Sequence, residues 1–163
     1  MSFEYSIASD IETVREIMTH PKVWPYITDD DAPPVAEFAP IVHHHVIYLL
    51  CRDGAKLLGL WMFTRQNAVT VEVHTCLLPG HGFTRARQAA RGAAGWIWAN
   101  CPAVQRIVTN VPRFNRLALK FALDVGMDRY GTNPKSFLKD GILQDQTLLG
   151  LSRPEETECQ QQQ

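Results

Sequence analysis

The chain has 163 residues, 45% of them hydrophobic and 20% charged, with a formal net charge of -1. That length suits one domain with its own core, and the composition is that of ordinary globular proteins. The balanced charge excludes a basic field for nucleic acid, and no apolar run approaches the roughly 18 residues of a membrane span. Met1 to Tyr5 lacks the basic and apolar regions of a signal peptide, so the expected location is the cytoplasm. Cys51, Cys76, Cys101 and Cys159 stand too far apart for a zinc motif or a disulfide framework, and free thiols are expected.

Phe3 to Ile7 reads as a first strand. Ser9-Asp10-Ile11-Glu12 has the form of a capping box, with Ser9 and Glu12 satisfying each other's amides. The helix it opens carries Ile11, Val14, Ile17 and Met18 on one face and stops by His20-Pro21. Val23 to Ile27 is an aromatic knot, Asp29-Asp30-Asp31 an acidic cluster for a solvated loop, and Pro33 to Pro40 extended loop. Strands are expected over Val42 to Cys51 and Lys56 to Thr64, joined at Asp53-Gly54. Within the first of these, His43-His44-His45 alternate between faces, so only His43 and His45 are able to share an ion, and no metal site is predicted.

The run Val69-Thr70-Val71-Glu72-Val73-His74-Thr75-Cys76 alternates as a strand. It places Glu72, His74 and Cys76 on one face and Val71, Val73 and Thr75 on the other. A Pro/Gly loop, Leu77 to Phe83, then leads into an alanine- and arginine-rich helix from about Thr84 to Asn100. The opening amides of such a helix favour an anion, and Arg85, Arg87 and Arg91 stand beside them. Trp96 and Trp98 are expected as packing groups. A short strand over Arg106 to Val111 and a helix from about Asn115 to Val125, closed by Gly126, come next. Arg113, Arg116 and Lys120 flank that helix as a solvated face. Two strands, about Met127 to Phe137 and Gln146 to Leu151, bracket a turn at Asp140-Gly141. Residues 1–153 form one domain in this reading, and 154–163 a polar tail.

The order β-α-α-β-β-β-α-β-α-β-β predicts an α/β (α+β) protein with a mixed, mostly antiparallel central sheet flanked by helices. It resembles the GNAT family of acyl-CoA-dependent N-acyltransferases. The resemblance spans roughly residues 3 to 151 and is carried by Asn115, Ala118 three positions later, and Gly126-Met127 closing the helix. Asp140-Gly141 with Asp145, Gly59 and the Pro79 loop add to it. Trp24 to Asp31 and His74 are similar to a short GNAT-like subgroup associated with tailed phages.

The resemblance implies acetyl transfer from acetyl-CoA to a small amine or protein amine, with direct attack on the thioester. It implies a cofactor site at Leu77, Leu78, Gly80, Gly82, Phe83, Thr84, Arg85, Ala86 and Asn115, where an amide near Leu77 or Leu78 polarises the carbonyl. Glu72 and His74 are the candidate proton acceptors. Two departures stand out. Phe83 to Ala86 occupy the usual glycine positions of the phosphate loop, and Ala122 stands where many members have a tyrosine that protonates the departing thiolate. These departures fit an alternative, a catalytically inactive GNAT-like phage protein acting as a virion-associated or protein-interaction component. A homodimer or virion proteins are the macromolecular partners this reading allows.

Overall fold

The alternating run at the middle of the chain forms the strand about which the others are arrayed. The computed structural model describes residues 3–155. The polar tail expected from Pro154 therefore lies, from residue 156 on, outside the described residues, as do Met1, Ser2 and Cys159. The strands are β1 (Phe3–Ile7), β2 (Val46–Asp53), β3 (Lys56–Arg65), β4 (Thr70–Leu77), β5 (Arg106–Pro112), β6 (Asp128–Lys139) and β7 (Ile142–Ser152). The helices are α1 (Ile11–Met18), α2 (Trp24–Ile27), α3 (Phe83–Asn100) and α4 (Arg116–Val125). The chain order matches the expected one.

These strands form one sheet in the order β1-β2-β3-β4-β5-β7-β6. Every pairing is antiparallel except β4 with β5. Alternation along the strands feeds two cores. Leu49, Cys51, Trp61, Val71, Val73 and Ile107 pack with the alanine face of α3 and with Ala122 of α4. On the opposite face, Tyr48, Leu50, Leu60 and Cys76 pack with Val14, Ile17 and Met18 of α1. Small side chains at Ala86, Ala89, Ala90, Ala93 and Ala94 let α3 lie close on the sheet.

Tyr5 of β1 uses that closeness. Its hydroxyl donates to Ala89 O at 2.7 Å, and a Cβ on Gly92 would lie 2.0 Å from the same oxygen and 2.8 Å from Cζ. Alanine is the better helix former by about 1 kcal/mol, but overpacking a rigid ring costs about 1–3 kcal/mol. Gly92→Ala is therefore expected to destabilise by about 1 kcal/mol in urea titrations, and to become stabilising in a Tyr5→Ala background. The same sign in both backgrounds would remove this account.

Several local expectations are corrected. Asp10, not Ser9, caps α1: its carboxylate accepts from the Glu12 amide at 3.0 Å and the Thr13 amide at 3.3 Å. A charged acceptor one residue later is the stronger partner for a positive helix end. Strands β6 and β7 run up to the Asp140-Gly141 turn, where φ is 51° and 71°. Positive φ at both central residues is what a tight two-residue hairpin requires.

The largest correction concerns β2, which begins only at Val46. The histidines before it lie in a turn closed by the Val46 amide on His43 O at 2.9 Å. Freed from strand alternation, all three imidazoles gather on one side, with ring centroids 3.9–4.9 Å apart.

Candidate functional site

Parallel pairing of β4 with β5 lasts three rungs, Thr70↔Arg106, Val71↔Ile107 and Glu72↔Val108. Beyond Glu72 the strands part. The parity of the ladder says what faces the gap. Leu78 N–H donates to Leu58 O at 3.0 Å, so even residues of β4 bond toward β3. Val69 O accepts from the Arg106 amide at 3.0 Å, so odd residues bond toward β5. Thr75 and Leu77 consequently aim their backbone groups into the opening, where no strand lies opposite. Of the two amides considered for polarising a carbonyl, that of Leu78 is committed to Leu58, which leaves that of Leu77.

Gly59 makes this end of β4 possible. It pairs with Leu77, has φ of 148°, and a Cβ there would sit 2.2 Å from Cys76 O and 2.9 Å from Leu77 Cα. Only a glycine lets β3 approach so closely.

A cleft of about 210 Å³ passes through the parted sheet. Trp61, Phe63 and Val73 line it from the α3 side with Ala90, Ala118 and Phe121. Glu72, His74, Tyr26 and Ile27 line it from the α1–α2 side, with Phe137 contributed by β6. Glu72 and His74 thus meet: His74 Nε2 lies 3.5 Å from Glu72 Oε1, with side chains 43% and 17% exposed. Two amides hold the carboxylate. Gln66 Nε2 donates to Oε2 at 2.5 Å, and Asn110 Nδ2 to Oε1 at 3.3 Å. Desolvation within the cleft pulls the His74 pKa below the ordinary histidine value, and the Glu72 charge opposes that shift. At neutral pH His74 is an uncharged imidazole, ready to accept a proton.

Cys76 shares their strand face but not their chemistry. Burial pushes its thiol up to about 12 and that of Cys51 up to about 11. Neither is a nucleophile at physiological pH.

Beyond β4, past the Pro79 loop, Gly82 caps α3 without a side-chain bond, and the first intrahelical amide bond is Ala86 N–H to Gly82 O at 3.0 Å. The amides of Phe83, Thr84 and Arg85 are left without helical partners, the arrangement that receives an anion. The two bulky side chains at this start are drawn to neighbouring elements. Phe83 stacks edge-on against Phe121 of α4 with centroids 5.8 Å apart. Arg85 forms a two-pronged ion pair with Asp53 and lies 4.3 Å over the Phe3 ring. The pair holds the Asp53 carboxyl below its usual range, and it fastens the β2–β3 turn to α3. Arg85 is thus a brace. Arg91 likewise caps the end of α4 through Asp124 O and Val125 O.

Asn115 caps α4 by accepting the Ala118 amide at 3.1 Å, and it also borders the cleft. Ala122 lines the cleft at 7% exposure, so no phenol stands at that point.

Three contributors escaped the sequence reading. Lys56 donates its ammonium to Gly80 O at 3.0 Å, putting a cation on the loop before α3. Asn110 and Gln66 orient Glu72. A lone amide inside the apolar run Ile107-Val108-Thr109-Asn110-Val111 was a usable signal for Asn110; Lys56 had none.

The parted parallel pair, the open helix start and the sheet order define the GNAT acetyltransferase fold. Solved structures of that fold match across nearly the whole chain. Spermidine N-acetyltransferase from Vibrio cholerae, in complex with CoA and spermine, aligns at TM-score 0.74 and 15% identity over 92% of this chain and 95% of that one. A chimera based on the same enzyme gives TM-score 0.76 and 16% identity, covering 93% and 96%. Ribosomal-protein-S5-alanine acetyltransferase from Vibrio fischeri gives TM-score 0.65 and 16% identity, covering 95% of each. No protein-family model and no curated protein matches the sequence. Among the described residues, no helix is long and apolar enough to cross a membrane.

Proposed function

We propose that this protein is an acyl-CoA-dependent N-acyltransferase that transfers acetyl from acetyl-CoA to a small amine in a ternary complex. The observation that carries the reading is the three-rung ladder between β4 and β5, which leaves the backbone groups of Thr75 and Leu77 with no strand opposite, Thr75 lining the cleft itself. An amide-bearing chain laid in that cleft satisfies them as a strand would. The opening amides of α3 and the Lys56 ammonium suit a diphosphate. Acetyl-CoA, when bound, supplies the thioester that the amine attacks. The Leu77 N–H is placed to polarise the thioester carbonyl. His74 takes the proton of the attacking nitrogen, and Glu72 stabilises the resulting imidazolium. With Ala122 in place of a phenol, the departing thiolate relies on its own stability as a leaving group. The solved neighbours include enzymes that acetylate amines, one of them crystallised with CoA, which supports this reading.

A small acceptor follows from the strap over the α1–α2 side of the cleft. Asp30 accepts from the Asp140 and Gly141 amides at 2.8 Å each, and its own amide donates to Leu138 O at 3.1 Å. Lys139 Nζ donates to Thr28 O at 2.8 Å. These bonds tie the segment after α2 to the β6–β7 turn and bridge the face on which Glu72 and His74 open. We read this strap as favouring a slender amine over a folded protein surface.

The alternative, a component that has lost turnover, rests on Ala122 and on the side chains of the phosphate loop. The solved neighbours lend no support to a phage-type subgroup or a virion role. Thermal unfolding with acetyl-CoA separates the two readings. Acetyl-CoA at about 100 times its dissociation constant is expected to stabilise by about 2.7 kcal/mol. Thiol release with a panel of small amines, and its absence with peptide amines, is expected to follow. No thermal shift at millimolar acetyl-CoA would transfer the weight to the alternative.

A further inference from the structure

We propose that the turn His43–Val46 is a transition-metal site in which His43, His44 and His45 each give one imidazole nitrogen to a single ion of the zinc, nickel or copper class. The three exposed side chains offer ligand atoms that all lie within 4.8 Å of one another. No other cluster of this kind is found among the described residues. A tetrahedral zinc with bonds of about 2.0–2.1 Å holds its nitrogens about 3.3 Å apart. Closing the difference takes movements of about 1.5 Å, which rotations of exposed side chains provide.

The backbone beneath the rings is already fixed. The Val46 amide closes the turn on His43 O at 2.9 Å, and the Arg65 amide bonds His45 O at 2.9 Å where the β2–β3 ladder begins. Upstream, the Tyr48 hydroxyl donates to Ile41 O at 3.0 Å. The turn is therefore held on both sides, and an ion has to order three side chains but no loop.

His43 Nδ1 accepts the His45 amide at 3.2 Å, so in the neutral ring Nδ1 is the unprotonated nitrogen, its lone pair engaged by that amide. That nitrogen binds the ion, exchanging an amide hydrogen for the metal. Imidazole donors favour zinc, copper and nickel over magnesium and calcium, whose preferred ligands are oxygens. No carboxylate belongs to the cluster, and the nearby Arg65 carries a like charge, so the site is open and weaker than a closed structural zinc site. None of the three histidines lines the cleft, so the site is separate from the proposed acetyl-transfer centre.

The test is isothermal titration of tag-free full chain with zinc chloride and nickel chloride, with magnesium chloride as the control. Expected are one equivalent of zinc or nickel, no magnesium binding, and an affinity about tenfold or more lower in His44→Ala. The triple variant His43→Ala, His44→Ala, His45→Ala is expected to lose binding while keeping the wild-type circular dichroism and its thermal shift with acetyl-CoA. His44→Gln with His45→Gln, which keeps polar side chains in the turn, is the second variant and is also expected to lose binding. No saturable binding by the wild type would overturn the proposal, as would binding that survives either multiple variant. Half an equivalent per chain would also overturn it, because the ion would then draw its ligands from two copies.

Discussion

Gly59→Ala is expected to destabilise the protein by about 3 kcal/mol or more, lowering the unfolding temperature by roughly 6–12 °C for a chain of this size. The new methyl would meet Cys76 O at 2.2 Å and Leu77 Cα at 2.9 Å. Both are backbone, so no side chain can swing aside. The φ of 148° adds strain for any residue with a Cβ. Relief requires β3 and β4 to separate at Leu77, on the stretch of β4 that β5 leaves unpaired, so acetyl-CoA affinity is expected to fall together with stability. Gly95→Ala is the control: nothing lies within 4 Å of its added Cβ, and it sits within α3. That change is expected to stabilise by about 0.4–1 kcal/mol. Chemical unfolding of the two variants checks the pair; a Gly59→Ala protein as stable as wild type would show that the β3–β4 contact is loose.

His74→Ala is expected to lower kcat about 100-fold or more with little change in the KM for acetyl-CoA, the signature of a lost proton acceptor. The wild-type rate is expected to fall as pH drops through a midpoint below the ordinary histidine value, because desolvation depresses the His74 pKa. This limb vanishes in His74→Ala. In Glu72→Gln the midpoint moves lower still, since the carboxylate charge is what holds the His74 pKa up. The same depression has a consequence for folding. The unfolded chain takes up the His74 proton more readily, so this group's contribution to stability is complete above the unfolded pKa, about 6.5, and diminishes as pH falls below it. Unchanged rates in both variants would remove the pair from the chemistry.

Much of the architecture was legible because it is written in local signals. Alternation marked β4, alanine spacing marked α3, and Gly126 and Asp140-Gly141 sit where left-handed backbone is needed, at φ of 115°, 51° and 71°. The meeting of Glu72 with His74 followed from strand parity alone. What the sequence hid depends on distant partners. Arg85 stands at a helix start and reads as a phosphate ligand, and the sequence gives no sign that it pairs with Asp53, 32 positions earlier. Asp30 looked like one member of a solvated acidic run, yet it fastens amides 110 and 111 positions away. The histidine run was misread for a subtler reason. A shift of a few residues in where β2 begins converts alternation into convergence.

In most sheets the weakest hydrogen bonding is at the rim, and the middle is the most secure part. Here the short seam between β4 and β5 reverses that gradient, leaving two firm leaves, β1 to β4 and β5 with β7 and β6, stitched by few rungs. A ligand lodged in the seam would behave less like a guest than like the absent eighth strand, and the stiffness of the whole would depend on whether that place is filled.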